Sequence, residues 1–140
     1  MSDEINFSDV RNARKLRISE QPENINKTQV SFLDWSKLDI RAGKILKVED
    51  IEGADKLYKL EVDIGDEKRI LAAGIKKFYS KEELKGRKCI VFCNLEPKKL
   101  RGIESKGMLL AAVNEDESKV ILIEPKLEAK EGAKIEFKNG

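Results

Sequence analysis

The stretch Cys89-Ile90-Val91-Phe92-Cys93-Asn94-Leu95-Glu96-Pro97-Lys98-Lys99-Leu100-Arg101-Gly102-Ile103-Glu104-Ser105-Lys106-Gly107-Met108-Leu109-Leu110-Ala111-Ala112-Val113 decides how the chain is read. Two apolar runs flank a polar, basic middle, the pattern of strand, loop and strand. Pro97 cannot donate to a sheet ladder, and Gly102 and Gly107 permit backbone turns that other residues resist. The loop therefore carries Lys98, Lys99, Arg101 and Lys106 off the end of a sheet. By itself, a loop with four cations is an ordinary solvated connection, so its meaning depends on the chain around it.

Upstream, Leu38, Ile40 and Ala42 alternate with Asp39 and Arg41, and after Gly43 the alternation slips by one to Ile45, then Leu46 and Val48. A long strand bent at Gly43 accounts for both features. Glu52-Gly53-Ala54-Asp55 is a turn, and Leu60, Val62 and Ile64 give a clean period of two. Gly65-Asp66 turns the chain into a third strand over Arg69–Gly74. Ser80 followed by Glu83 is a capping box for a short helix that ends at Gly86 and leads into a strand at Lys88–Asn94. After the loop comes a fifth strand, Met108–Val113, then a turn at 114–118 into Val120–Ile123, with Ala133–Phe137 as a further short edge strand.

Three strands, a short helix and two more strands are the order of an all-β, five-stranded OB-fold, a Greek-key barrel with its helix between strands 3 and 4. A first strand that bends can pair with both ends of such a sheet. The loop between strands 4 and 5 is one of the fold's usual nucleic-acid-binding loops. Residues 1–31 form an N-terminal extension and residues 32–140 the domain, which opens near Phe32-Leu33-Asp34-Trp35. Within the extension, Ser8–Arg17 reads as a short helix capped by Ser8, followed by a polar linker. Short isolated helices are marginal, so a mobile or weakly packed segment is the first expectation here.

Composition narrows the function. The 140 residues suit one domain. No histidine is present, which removes the commonest general base, nucleophile partner and metal ligand. No catalytic constellation, metal site or cofactor is expected. Cys89 and Cys93 lie among apolar neighbours and read as buried free thiols. With no run of about 18 apolar residues and no secretory pattern at the N-terminus, the expectation is a cytoplasmic protein without a membrane span.

The net charge of +2 hides an asymmetry. Residues 32–67 carry six Lys/Arg against ten Asp/Glu, a net of −4, whereas residues 68–101 carry eleven against three, a net of +8. Clustered cations of this kind suit a phosphate-bearing partner. Of eight aromatic residues, only Phe78 and Tyr79, beside Lys76 and Lys77, look available to stack on a base. Single-strand binders use successive stacking platforms, so recognition by shape fits better.

Three motifs, Leu38-Asp39-Ile40-Arg41-Ala42-Gly43-Lys44-Ile45, Ala54-Asp55-Lys56-Leu57-Tyr58 and Asn94 through Met108, occur in order. Together they resemble the tRNA-binding domain family over about residues 32–138. That family includes the C-terminal domain or beta chain of methionyl-tRNA synthetases, free-standing dimeric tRNA-binding proteins and the domain shared with the endothelial-monocyte-activating polypeptide. The resemblance implies a non-catalytic module that binds tRNA by shape, as an accessory to an aminoacyl-tRNA synthetase, methionyl first, or as a free-standing homodimer. It places the tRNA-binding residues at Asn94, Lys98, Lys99, Arg101, Ser105 and Lys106, with Lys76, Lys77 and Tyr79 as a secondary set. Lys98, Lys99 and Arg101 would meet phosphates. Asn94 and Ser105 would bond backbone or ribose, or tie the loop to itself, and Met108 would pack in the core. Many members carry His-Pro where this chain has Ile51-Glu52, and a lysine where it has Glu96. The long C-terminal extension of the cytokine-like members, which imitates a second subunit, is absent, so pairing with a second copy is expected. A branch of the same family resembles export-related peptide-binding chaperones, the alternative function.

Overall fold

A computed structural model describes residues 28–138. The helix expected at Ser8–Arg17 lies outside the described residues. The chain divides into two units after Lys37, and each is described by itself.

In the first unit a single helical turn, α1 (Phe32–Trp35), is capped by Ser31, whose Oγ accepts from the amide of Asp34 at 3.0 Å. This satisfies one of the donors that every helix start leaves open.

The second unit is an all-β, OB-like barrel. β1 (Ile40–Asp50), β2 (Tyr58–Asp63) and β3 (Lys68–Ala73) form an antiparallel meander. The short helix α2 (Lys81–Leu84) follows, with the full capping box between Ser80 and Glu83. β4 (Lys88–Phe92) then pairs with the first half of β1, and its other edge takes Met108–Leu109. Numbering the later strands β5 (Lys98–Leu100), β6 (Ile103–Ser105), β7 (Met108–Leu109), β8 (Ala111–Val113) and β9 (Val120–Leu122), the main sheet runs β3-β2-β1-β4-β7. The far edge of β3 meets the chain again before β7: Lys106 donates its amide to the Ile70 carbonyl at 3.1 Å. That contact brings the two edges of the curled sheet together.

Tyr58, Leu60 and Val62 on β2 point inward, as their period of two requires, and join Ile45, Ile64, Leu71, Leu84, Cys89 and Val91 in one apolar core. Both cysteines are buried and free.

Three expectations change. The register shift in β1 falls between Ile45 and Lys47 and not at Gly43. Gly43 serves packing: a Cβ there would stand 3.1 Å from both the Asp63 carbonyl and Val62 Cγ1, and 3.3 Å from Val91 Cγ2. The fifth strand is broken in two, with β7 on β4 and β8 paired to β9. The strand expected at Ala133–Phe137 reduces to one bridge, Arg41 with Lys134, although Ala42 and Ile40 exchange backbone hydrogen bonds with residues 132–135.

Candidate nucleic-acid interface

The basic loop is itself a hairpin. Lys98 pairs with Ser105, Lys99 with Glu104 and Leu100 with Ile103. The two-residue turn holds Arg101 at φ 50° and Gly102 at φ 83°. Positive φ at both positions is the geometry that matches strand twist in tight hairpins. Gly102 takes it freely, whereas a side-chain-bearing Arg101 does so at about 1–2 kcal/mol. Leu100 and Ile103 pack on Ile51, Ala54 and Ala72, which fastens the hairpin to the barrel. Lys99, Arg101 and Lys106 are left exposed, and Lys98 is half-buried.

The hairpin's ends are tied to the sheet by polar contacts. Asn94 Oδ1 accepts the Asp39 amide at 2.7 Å. Ser105 is 2% exposed, and its Oγ accepts from the Ala72 amide at 3.0 Å and donates to the Gly107 carbonyl at 3.1 Å. Of the two roles open to Asn94 and Ser105, these bonds favour tying the loop to the barrel. Asp39 in turn holds Arg41 through both carboxylate oxygens, at 2.9 Å each, and Arg41 reaches Asp66 at 3.0 Å. The Arg41 hydrogen bond draws the Asp39 carboxyl below its usual range, against the opposing effect of burial.

Between the hairpin and the outer face of β2 and β3 lies an open groove of about 750 Å³. Its walls carry Lys59, Lys68, Arg69 and Lys106, with Glu67 and Glu104 among them. Lys59 and Lys68 are functional candidates that sequence reasoning missed. The signal was present: if Tyr58, Leu60 and Val62 face the core, Lys59 must face out, on the strand 2–3 surface that OB-folds use for oligonucleotides.

The secondary set does not line this groove. Lys76 pairs with Asp50 at 3.0 Å and lies 5.9 Å from the centre of the Tyr58 ring, and Lys81 binds the other oxygen of Asp50 at 2.6 Å. Lys77 is exposed. Tyr79 is half-buried: its ring packs against the core with the Arg87 guanidinium 5.0 Å from its centre, and its Oη accepts the Leu122 amide at 3.0 Å. Phe78 is 37% exposed. Burial pushes the Cys89 thiol up to about 12, and Cys93 moves the same way, so neither is a thiolate at neutral pH. Among the described residues no helix is long and apolar enough to cross a membrane.

The family described as "Putative tRNA binding domain" matches residues 40–134. A methionine–tRNA ligase of Pyrococcus abyssi is 51% identical over 122 residues, which is 87% of this chain and 16% of the ligase. The chain thus spans about one sixth of the length of such relatives. Among solved structures, a MetRS related protein from Pyrococcus horikoshii aligns with a TM-score of 0.71 at 40% identity, covering 77% of this chain and 99% of that one. Chaperone CsaA from Bacillus anthracis str. Ames also reaches 0.71, at 30% identity, covering 78% of this chain and all of its own.

Proposed function

This chain belongs to the tRNA-binding domain family, and from that premise we propose that it is a non-catalytic module that binds folded tRNA by shape. It serves an aminoacyl-tRNA synthetase, methionyl first, or acts free-standing as a homodimer in the cytoplasm. The domain is taken as residues 32–140, with 1–31 as an extension. The observation that carries this reading is the groove beside the hairpin, where Lys59, Lys68 and Lys106 face the same open space. Lys98, Lys99 and Arg101 extend the cationic surface along the hairpin. Lys76 and Lys77 are proposed as outlying contacts. Phosphates are bound by such cations with release of counterions, and a groove poor in stacking rings reads backbone geometry before sequence.

Binding to a folded tRNA is measured against an unfolded RNA of equal length. Tighter binding of the tRNA is expected, and equal affinity would remove shape recognition. Affinity should fall with salt. Replacing Lys98, Lys99 and Arg101 together by alanine should flatten the log–log slope by roughly 0.7–0.9 for each phosphate no longer neutralised. For self-association, Ala112 and Ile121 sit opposite one another in the β8–β9 hairpin and both face solvent, near in sequence to exposed Ile123 and Leu127. A pure sample sedimenting at the 15.9 kDa chain mass would refute the homodimer.

The alternative, a peptide-binding chaperone, is favoured by the likeness to the CsaA chaperone. Competition separates the two readings. Displacement of bound tRNA by unfolded polypeptide at equal concentration would favour the chaperone.

A further inference from the structure

Arg69 lies on the wall of the cationic groove, and by charge and place it looks like one more phosphate contact. Its hydrogen bonds point elsewhere. Nε donates to Glu67, and Nη1 donates to the carbonyl of Cys93 and, at 3.3 Å, to that of Lys106. Cys93 stands where the chain leaves β4 and Lys106 where it leaves β6. One nitrogen of one side chain therefore joins both ends of the excursion that carries the hairpin. The backbone holds the same two places: Cys93 donates to the Asp39 carbonyl at 2.6 Å, and Lys106 to the Ile70 carbonyl at 3.1 Å. While Nη1 spans the two carbonyls, Glu67 holds Nε of the same rigid plane, so the guanidinium is fixed at two nitrogens, which a lysine with one ammonium on a flexible stem cannot copy. Glu67 already offsets its charge.

We propose that Arg69 is a positioning residue, which sets the angle at which the 97–106 hairpin stands over the groove and does not itself meet phosphate. The proposal rests on the tRNA-binding reading for its consequence but on the Cys93 and Lys106 contacts for its geometry. If loss of the fork leaves the hairpin in its binding orientation a tenth of the time, affinity falls about tenfold with every phosphate-binding cation still in place.

Arg69→Lys and Arg69→Gln are compared with the unaltered protein in tRNA binding across a salt series. Both variants are expected to lose affinity on the order of tenfold, with the salt slope unchanged. Arg69→Lys binding like the unaltered protein, while Arg69→Gln flattens the slope by roughly 0.7–0.9, would make Arg69 a phosphate contact and overturn the proposal. Amide hydrogen exchange without RNA keeps the two readings separable. Faster exchange at Leu100 and Ile103, the hydrogen-bonded pair of the hairpin, in Arg69→Gln supports the clamp even if no tRNA is bound, and unchanged exchange there refutes it. The unaltered protein provides a check that needs no variant. The Arg69 side-chain resonances should keep their positions when tRNA is added, and a shift as large as that of Arg101 would also refute the clamp.

Discussion

The Ser105 hydroxyl accepts a 3.0 Å hydrogen bond from the amide of Ala72, across 33 residues of sequence. Ala72 sits in β3, opposite Lys59 of β2, and Ser105 ends the hairpin opposite Lys98. One buried hydroxyl thus connects the strand face that carries Lys59 to the hairpin that carries Lys98 and Lys99. Among the described residues Ser105 is the buried polar side chain. That bond fixes where these cations stand relative to one another.

Ser105→Ala should therefore lower stability more than a surface change does. It leaves the buried Ala72 amide without its acceptor, a loss of about 1–3 kcal/mol. Urea unfolding would show this as a lower midpoint with an unchanged m-value. If Ser105 touched no RNA, the salt slope of tRNA binding would stay as it was even where affinity fell.

A second prediction concerns a close approach far from the hairpin. Gly65 and Gly132 meet backbone to backbone. A Cβ on Gly132 would lie 2.7 Å from the Ile64 carbonyl, and one on Gly65 would lie 2.7 Å from the Glu131 carbonyl. Both residues hold positive φ, 103° and 90°. Gly132→Ala adds a backbone clash to a left-handed cost of about 1–2 kcal/mol. Gly53→Ala, at φ 79° with nothing within 4 Å, carries the conformational part alone. Thermal melts should show the larger fall in Gly132→Ala, and equal falls would mean that the segment at 131–132 moves aside.

The sequence disclosed the barrel more fully than the site, for physical reasons. Period two at Leu60, Val62 and Ile64 and the Ser80–Glu83 box are local signals, and each has its expected counterpart in the structure. The bulge between Ile45 and Lys47 shows in the sequence as the slip from Ile45 to Leu46 and Val48, but a glycine in a strand suggests a bend and draws the attribution to position 43. Gly43 is instead required by the Asp63 carbonyl and the Val62 and Val91 side chains pressed against it. The hairpin reads as a loop because Lys98, Lys99, Glu104 and Ser105 are polar. Its apolar pair, Leu100 and Ile103, is only two residues wide and gains its partners, Ile51 and Ala72, from distant segments. The tie from Tyr79 to Leu122 is hidden for a similar reason, since it spans 43 residues.

Acid should weaken the barrel through Asp39. Its carboxyl is held below the ordinary value by Arg41, so the unfolded chain binds its proton first as pH falls. Linkage then makes stability rise with pH in that interval. The contribution is complete above the unfolded carboxyl pKa of about 3.9 and fades as pH drops through the lower folded value. Asp39→Asn removes the charge-assisted pairing with Arg41, at about 1.5–3 kcal/mol near pH 7, and should flatten the acid limb of a stability–pH curve. An acid limb as steep as the original would place the responsible carboxylates elsewhere, with Asp50 and Glu131, both also lowered by lysine partners, as the next to replace.

Glu96 gives a prediction whose sign separates two arrangements of the surface. It is exposed, directly before Pro97 and two residues before the hairpin strand that carries Lys98 and Lys99. A carboxylate at that edge repels phosphate that the neighbouring cations attract. Its replacement by lysine changes the local charge by two and adds one counterion-releasing group. If RNA passes along the hairpin, Glu96→Lys should tighten tRNA binding and steepen the log–log salt slope by roughly 0.7–0.9. The fold should tolerate the change, since exposed substitutions away from special contacts typically alter stability by within about 0.5 kcal/mol. Weaker binding with intact melting would mean that the carboxylate itself accepts a hydrogen bond from the RNA, which then meets this edge with a donor such as a ribose hydroxyl and not with a phosphate.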